Sequence, residues 1–278
     1  MGGLVWLASY PKSGNTWVRA FLHNLLHNAK TPANIDSIHE FCRGDTDAQW
    51  FEQLTDKPYD QLSKEEQAAL RPQVHALLTR TSADSVFVKT HHFLGEDRGV
   101  PLISMQHTTG AIYILRNPLD VLLSMLDHYD MTVDQAIEFM AQDDAHTGGG
   151  GGHVLQVLTS WSNHVRSWTQ TENPWLMVLR YEDMLDSPQK SFGRVARFLG
   201  LDPPRDRLKR AIKFSSFKVL RRQENRHGFR ERSEKAKNFF RMGTSGQWKT
   251  ALTPEQVARI VGDQRQQMQR FDYLPPGF

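Results

Sequence analysis

Lys12, Ser13, Gly14, Asn15 and Thr16 stand in one short row, and their types suit the capture of an anion. The row follows an apolar run over residues 4–8 and precedes Val18, Phe21, Leu22, Leu25 and Leu26, which recur at helical spacing. A strand, a turn and a helix are therefore expected. Backbone N–H groups at a helix N-terminus point outward with partial positive charge and accept a phosphate readily. Gly14 permits close backbone approach, Lys12 adds a full charge, and Ser13 and Thr16 add hydroxyl donors. The loop of nucleotide triphosphatases reads G-x-x-x-x-G-K-[ST]. Here Lys12 comes before Gly14 and the first glycine is missing, which argues against an ATP kinase. An ordinary strand-to-helix turn with a solvated Lys12 stays open on these residues alone.

Further reactive groups close other apolar runs. Residues 85–90 read as a buried strand that ends in Lys89, Thr90, His91 and His92. In parallel α/β sheets ligands sit beyond the carboxyl ends of strands, which puts Lys89 and His91 beside the first turn. The alternative is a surface pair of histidines. A zinc site is weaker, since no Cys or carboxylate stands nearby at ligand spacing. Residues 111–115 form a second strand closed by Arg116-Asn117-Pro118, with Pro118 suited to the first turn of a helix. Arg116 and Ser124 on that helix are placed to converge on one phosphate, while Asp120 reads as structural, pairing with Arg116 to hold strand to helix. In 239–249, Arg241 and two glycines form a turn able to wrap a phosphate with side-chain and backbone donors.

These residues need a frame that brings strand ends together. The chain has 278 residues, enough for one sizeable core, with an ordinary composition and a net charge of +3. No Lys/Arg block is long enough to demand nucleic acid, and no apolar run approaches membrane-spanning length. The single cysteine, Cys42, excludes an internal disulfide and has no group nearby to activate a thiolate. The N-terminus lacks a signal-peptide pattern, and a cytoplasmic protein is expected. Apolar strands at 4–9, 85–90, 111–115 and 175–181 alternate with helical patterns at 47–54, 63–78, 131–142, 153–169, 189–199, 206–214 and 252–271. This predicts an α/β fold, a single domain over 1–278 with a central parallel sheet flanked by helices. Two stretches are expected to be flexible. One, about 143–152, contains five consecutive glycines, and reads as a plain linker or a gate. The other, 218–238, is crowded with Lys and Arg, and reads as a mobile lid or a solvated loop.

Tyr10-Pro11-Lys12-Ser13-Gly14-Asn15-Thr16-Trp17 resembles the 5′-phosphosulfate loop of sulfotransferases, enzymes that use 3′-phosphoadenosine-5′-phosphosulfate (PAPS). Lys-Thr-His at 89–91 is similar to that family's base-bearing segment, and Arg-Asn-Pro-x-Asp-x-x-x-Ser at 116–124 to its 3′-phosphate signature. Tyr181 in Arg-Tyr-Glu-Asp, Ser215-Ser216-Phe217 and Arg241-x-Gly243-x-x-Gly246-x-Trp248-Lys249 continue the resemblance in the family's order. It implies a P-loop-like strand–loop–helix and sulfuryl transfer from PAPS to a hydroxyl or amine of a small molecule, leaving adenosine 3′,5′-bisphosphate (PAP). His91 would be the general base, Lys12 would stabilise the leaving phosphate, and Lys89 would neutralise the sulfuryl oxygens. Ser13, Gly14, Asn15, Thr16, Trp17, Arg116, Ser124, Tyr181, Ser215, Phe217, Phe240, Arg241, Met242 and Gly243 would join Lys12 in holding the nucleotide. Met242 departs from the family's Lys, so one cation is missing. Pro254 and Ala258 depart from the family's dimer motif, which leaves the oligomeric state open. No metal is implied. An ATP-dependent kinase of the P-loop type and a non-catalytic nucleotide-binding module are the rival readings.

Overall fold

The computed structural model describes residues 2–278. Its centre is a five-stranded parallel sheet of β1 (Leu4–Ser9), β2 (Cys42–Gly44), β3 (Val86–Thr90), β4 (Thr108–Leu115) and β5 (Leu176–Arg180). The order across the sheet is β2-β3-β1-β4-β5, so the strand that launches the Lys12 turn lies in the middle. Successive side chains leave opposite faces of a strand. Trp6 and Ala8 of β1 and Ala111, Tyr113 and Leu115 of β4 accordingly enter one apolar cluster. Leu7, Ile112 and Ile114 enter the other. Both faces are covered, which is why these strands read as continuous apolar runs.

Helices cover them on both sides. α1 (Asn15–His27), α2 (Lys64–Leu78), α3 (Pro118–Tyr129), α4 (Val133–Ala141), α5 (Trp161–Thr169), α6 (Tyr181–Asp186), α7 (Pro188–Phe198), α8 (Arg205–Phe214), α9 (Phe217–His227) and α10 (Pro254–Arg270) follow in chain order. Capping boxes at Ser63, Thr132 and Thr253 start α2, α4 and α10, where a side-chain oxygen and a Glu or Gln satisfy the first free N–H groups. Trp161 and Trp168 of α5 are buried core. Among the described residues no helix is long and apolar enough to cross a membrane.

Three expectations are corrected. The helix foreseen over 153–169 begins only at Trp161. Gln156–Val157 pairs instead with His146–Thr147, Thr159 takes a positive φ of 64°, and the Ser160 side chain then caps α5. The glycine run is not a free linker. Ala48 N donates to Gly152 O at 2.9 Å, Gly152 N donates to the Tyr59 hydroxyl at 3.0 Å, and His153 bridges to Asp47. The basic segment is half helix. α9 turns Leu220 and Glu224 inward, and the buried Glu224 carboxylate accepts from Phe239 N at 2.6 Å and Phe240 N at 3.0 Å. An inward glutamate four residues from one leucine looks like solvent-exposed sequence, which hid this helix.

Candidate functional site

β1 ends at Ser9, and the turn that follows needs unusual backbone. Lys12 has φ 65° and Gly14 has φ 102°. At Gly14 a Cβ would meet Tyr181 Cδ2 at 2.7 Å, so the turn packs directly on the first residue of α6. Asn15 Nδ2 donates to Leu7 O at 2.8 Å and to Ser9 Oγ at 3.3 Å, which ties the turn back to its strand. No side chain caps α1, so its first N–H groups remain available to a ligand. Ser13 is buried behind the turn. Its Oγ, Trp17 Nε1 and Arg116 Nε are buried without a hydrogen-bond partner. Trp17 and Arg116 line the cavity described next, where a bound anion is expected to supply the missing partner.

Lys12, Gly14, Asn15, Thr16 and Trp17 line a cavity of about 360 Å³. Lys89 and His91 from the end of β3, Arg116 just beyond β4, Ser124 from α3 and Tyr181 at the start of α6 line it too. Phe217, Phe240, Arg241, Met242 and Gly243 line it as well. Ser13 and Ser215 do not line it. Ser215 closes α8, its Oγ donating to Ala211 O at 3.0 Å and Ile212 O at 3.2 Å, and the adjacent Ser216 faces the cavity instead. None of the five glycines at 148–152 lines this cavity.

His91 is held in one tautomer by its neighbour on β1. Its Nδ1 lies 2.7 Å from Ser9 O, and a carbonyl only accepts, so Nδ1 carries the proton and Nε2 keeps a lone pair. Burial, aided by Lys89, pushes its pKa well below the ordinary 6.5. The imidazole is therefore neutral at physiological pH. Its backbone is fixed as well: His164 Nε2 donates to His91 O at 3.1 Å, and the Tyr113 hydroxyl lies 2.9 Å from His164 Nδ1. His92 is structural, its buried Nδ1 accepting from Val157 N at 3.0 Å. Across the cavity, burial lowers the Lys12 ammonium to about 7, with Lys89 and Arg116 pushing the same way and Glu231 opposing. Its Nζ lies 4.2 Å from the centre of the Phe239 ring.

Arg116 clamps two turns together. Nη1 donates to Lys12 O at 3.0 Å and Nη2 to Thr244 O at 3.3 Å, while the guanidinium lies 4.3 Å over the Tyr181 ring. Asp120 is structural as expected, but its partner is not Arg116. Its carboxylate accepts from Gly246 N at 2.6 Å and Trp248 N at 3.3 Å, fastening the 243–248 turn to α3. Arg241 leans on that turn through Gln247 Oε1 at 2.8 Å. At Gly243, with φ 66°, a Cβ would lie 2.3 Å from the Phe217 ring, so backbone rests against an aromatic side chain. Among the described residues no group of three or more His, Cys, Asp or Glu is arranged to hold a metal ion.

Sequence reasoning missed His128, Tyr129, Glu231, Phe239 and Gln247, which also line the cavity. His128 carried a signal, since it stands one turn beyond Ser124 on the same face of α3. Glu231 carried none, because it comes from a stretch with no periodic pattern.

The family model described as the sulfotransferase domain matches residues 3–272. The chain is 28% identical over 280 residues to sulfotransferase 2A6 of Rattus norvegicus, covering 98% of this chain and 85% of that one. It is 25% identical over 281 residues to cytosolic sulfotransferase 16 of Arabidopsis thaliana, with coverage of 92% and 73%. Among solved structures, retinol dehydratase in complex with androsterone and inactive cofactor PAP aligns with a TM-score of 0.67 at 19% identity, over 99% of this chain and 83% of that one. Mouse sulfotransferase SULT7A1 complexed with PAP aligns with a TM-score of 0.64 at 21% identity, over 97% and 85%. These two structures share the fold. With a family match that runs almost from end to end, the chain belongs to the sulfotransferase family.

Proposed function

We propose that the cavity binds PAPS and that the protein moves its sulfuryl group to a hydroxyl or amine of a small molecule. One observation carries the reading: a neutral imidazole and two lysines share a single cavity with a second cationic wall made by Arg116 and Arg241. A nucleotide with a phosphosulfate at its 5′ end and a phosphate at its 3′ end presents an anionic group to each set of cations. PAPS supplies a sulfur that exchanges its bond to the 5′-phosphate oxygen for a bond to the acceptor oxygen or nitrogen. His91 Nε2 takes the acceptor's proton, since Nδ1 is already committed to Ser9 O. Lys12 and the uncapped start of α1 face the negative charge left on the 5′-phosphate. Lys89 neutralises the sulfuryl oxygens. Arg116, Ser124 and Arg241 hold the 3′-phosphate, and Trp17, Tyr181 and Phe217 offer aromatic surface to the nucleoside.

The solved neighbours carry PAP, and one of them carries androsterone, which supports a small-molecule acceptor. Relatives named cytosolic support a cytoplasmic location, as does Cys42, a buried free thiol. Thermal shift distinguishes the rival kinase reading: PAP raises Tm and ATP raises it less, whereas an equal or larger shift with ATP overturns the assignment. Transfer from labelled PAPS to a panel of phenols, alcohols and amines then identifies the acceptor. In Arg116→Ala, PAP affinity measured by calorimetry falls by about 1.5–3 kcal/mol, the range for hydrogen bonds to charged groups. Unchanged affinity would remove Arg116 from the 3′-phosphate.

A further inference from the structure

Arg19 lies one turn into α1, buried, on the face of Thr16. Its Nη1 donates to Glu231 Oε1 at 2.7 Å and its Nη2 to Glu231 Oε2 at 2.6 Å, a two-pronged ion pair. Nη2 also donates to Thr16 Oγ1 at 2.9 Å, and Thr16 Oγ1 donates to Glu231 Oε2 at 3.4 Å. A carboxylate thus touches a hydroxyl of the anion turn. Among the described residues that line the cavity, Glu231 is the only acid, and it shares the cavity with Lys12, Lys89 and His91. Burial alone would raise its pKa, but Arg19 and then Lys89 hold the carboxyl well below the usual carboxylate range.

Glu231 reaches this position from residues 228–238, which form neither helix nor strand and otherwise carry Arg230, Arg232, Lys235 and Lys237. A predominantly basic segment therefore delivers one of its few acids into a pocket built for anions. A buried guanidinium without a counter-charge is costly, and Arg19 Nε has no partner at all. Two anions side by side in the same low-dielectric seat repel strongly. The carboxylate and a phosphosulfate cannot both be held there.

We propose that Arg19 is a further binding residue for the anionic 5′ end of PAPS, and that Glu231 is its placeholder, released from Arg19 when the nucleotide binds. The inference rests on the PAPS reading above. It makes Glu231 the point at which 228–238 is tied to the cation that the cofactor later takes. Release of Glu231 loosens the stretch around it, although Phe229 and Ala236 remain buried and Arg230 N still donates to Asp36, and Arg19 keeps an anionic partner throughout.

The test compares full-length wild type, Glu231→Gln and the double variant Arg19→Gln/Glu231→Gln, each with a cooperative melt, using PAP as the probe. Glu231→Gln keeps the shape and removes the competing charge, so PAP binds about tenfold more tightly by calorimetry, within the range usual for coupled sites. The double variant loses that gain and binds more weakly than wild type. Hydrogen exchange of wild type saturated with PAP becomes faster in 228–238 and slower in 10–16. Affinity in Glu231→Gln that is unchanged or weaker, a double variant that keeps the gain, or added protection of 228–238 on binding overturns the inference alone. Wild type that binds no PAP overturns the underlying reading and the inference with it.

Discussion

His91→Ala is expected to lower kcat by about 10²–10⁴-fold, the usual worth of a positioned general base, while PAP affinity stays within about twofold, since no charge–charge contact to the nucleotide is lost. The expectation follows from one hydrogen bond. Ser9 O accepts from Nδ1 and so dictates which nitrogen is free. The depressed pKa fixes the pH behaviour. The active form is the neutral imidazole, present above the pKa, and that pKa lies well below 6.5. Wild-type kcat/KM should therefore not fall as pH drops from 7 to 6, where an unperturbed histidine would already be losing activity. A large loss of PAP affinity in the variant, with turnover per bound complex intact, would take the base role away from His91.

Lys12→Met is expected to cost about 10²–10³-fold in kcat, comparable to removing one preorganised charge-stabilising group. Shape is largely kept and only the charge goes. The ammonium is lowered to about 7, chiefly by burial, so the free protein holds Lys12 only partly protonated at neutral pH. Nucleotide binding favours the charged form. Wild-type PAP affinity should thus fall as pH rises from 7 towards 9, with net proton uptake on binding, and Lys12→Met should lose both effects. Stability runs the other way. A lysine whose folded pKa lies below its unfolded one makes folding release a proton, so wild-type stability rises with pH between about 7 and 10.5. Without ligand at pH 6, Lys12→Met should melt higher than wild type. Equal pH profiles in the two proteins would show that Lys12 does not titrate in the site.

Much of this site was readable from the chain because its residues stand where strands stop. Lys12, His91, Arg116 and Tyr181 each follow an apolar run, and a parallel sheet gathers such ends at one edge. The shortfalls have local causes. At Ser215-Ser216 the sequence offered two hydroxyls, and which one faces the cavity depends on where α8 ends and α9 begins. Residues 153–160 have helix-like composition, yet pairing of 156–157 with 146–147 overrode it. Arg19 and Glu231 stand more than two hundred residues apart, so their pairing exists only once the fold brings them together. The three-residue β2 is too short to leave a periodic signature.

The clamp made by Arg116 and Asp120 also bears on how the protein is born. Thr244, Gly246 and Trp248 are the partners that complete it, and they lie 126 to 128 positions further along the chain. A polypeptide emerging from the ribosome can assemble its sheet with β5, near residue 180, but the nucleotide seat has no closing wall until this late turn has been synthesised. Nascent chains halted short of that point would already contain His91 and Lys12 and still be unable to grip a nucleotide at both ends.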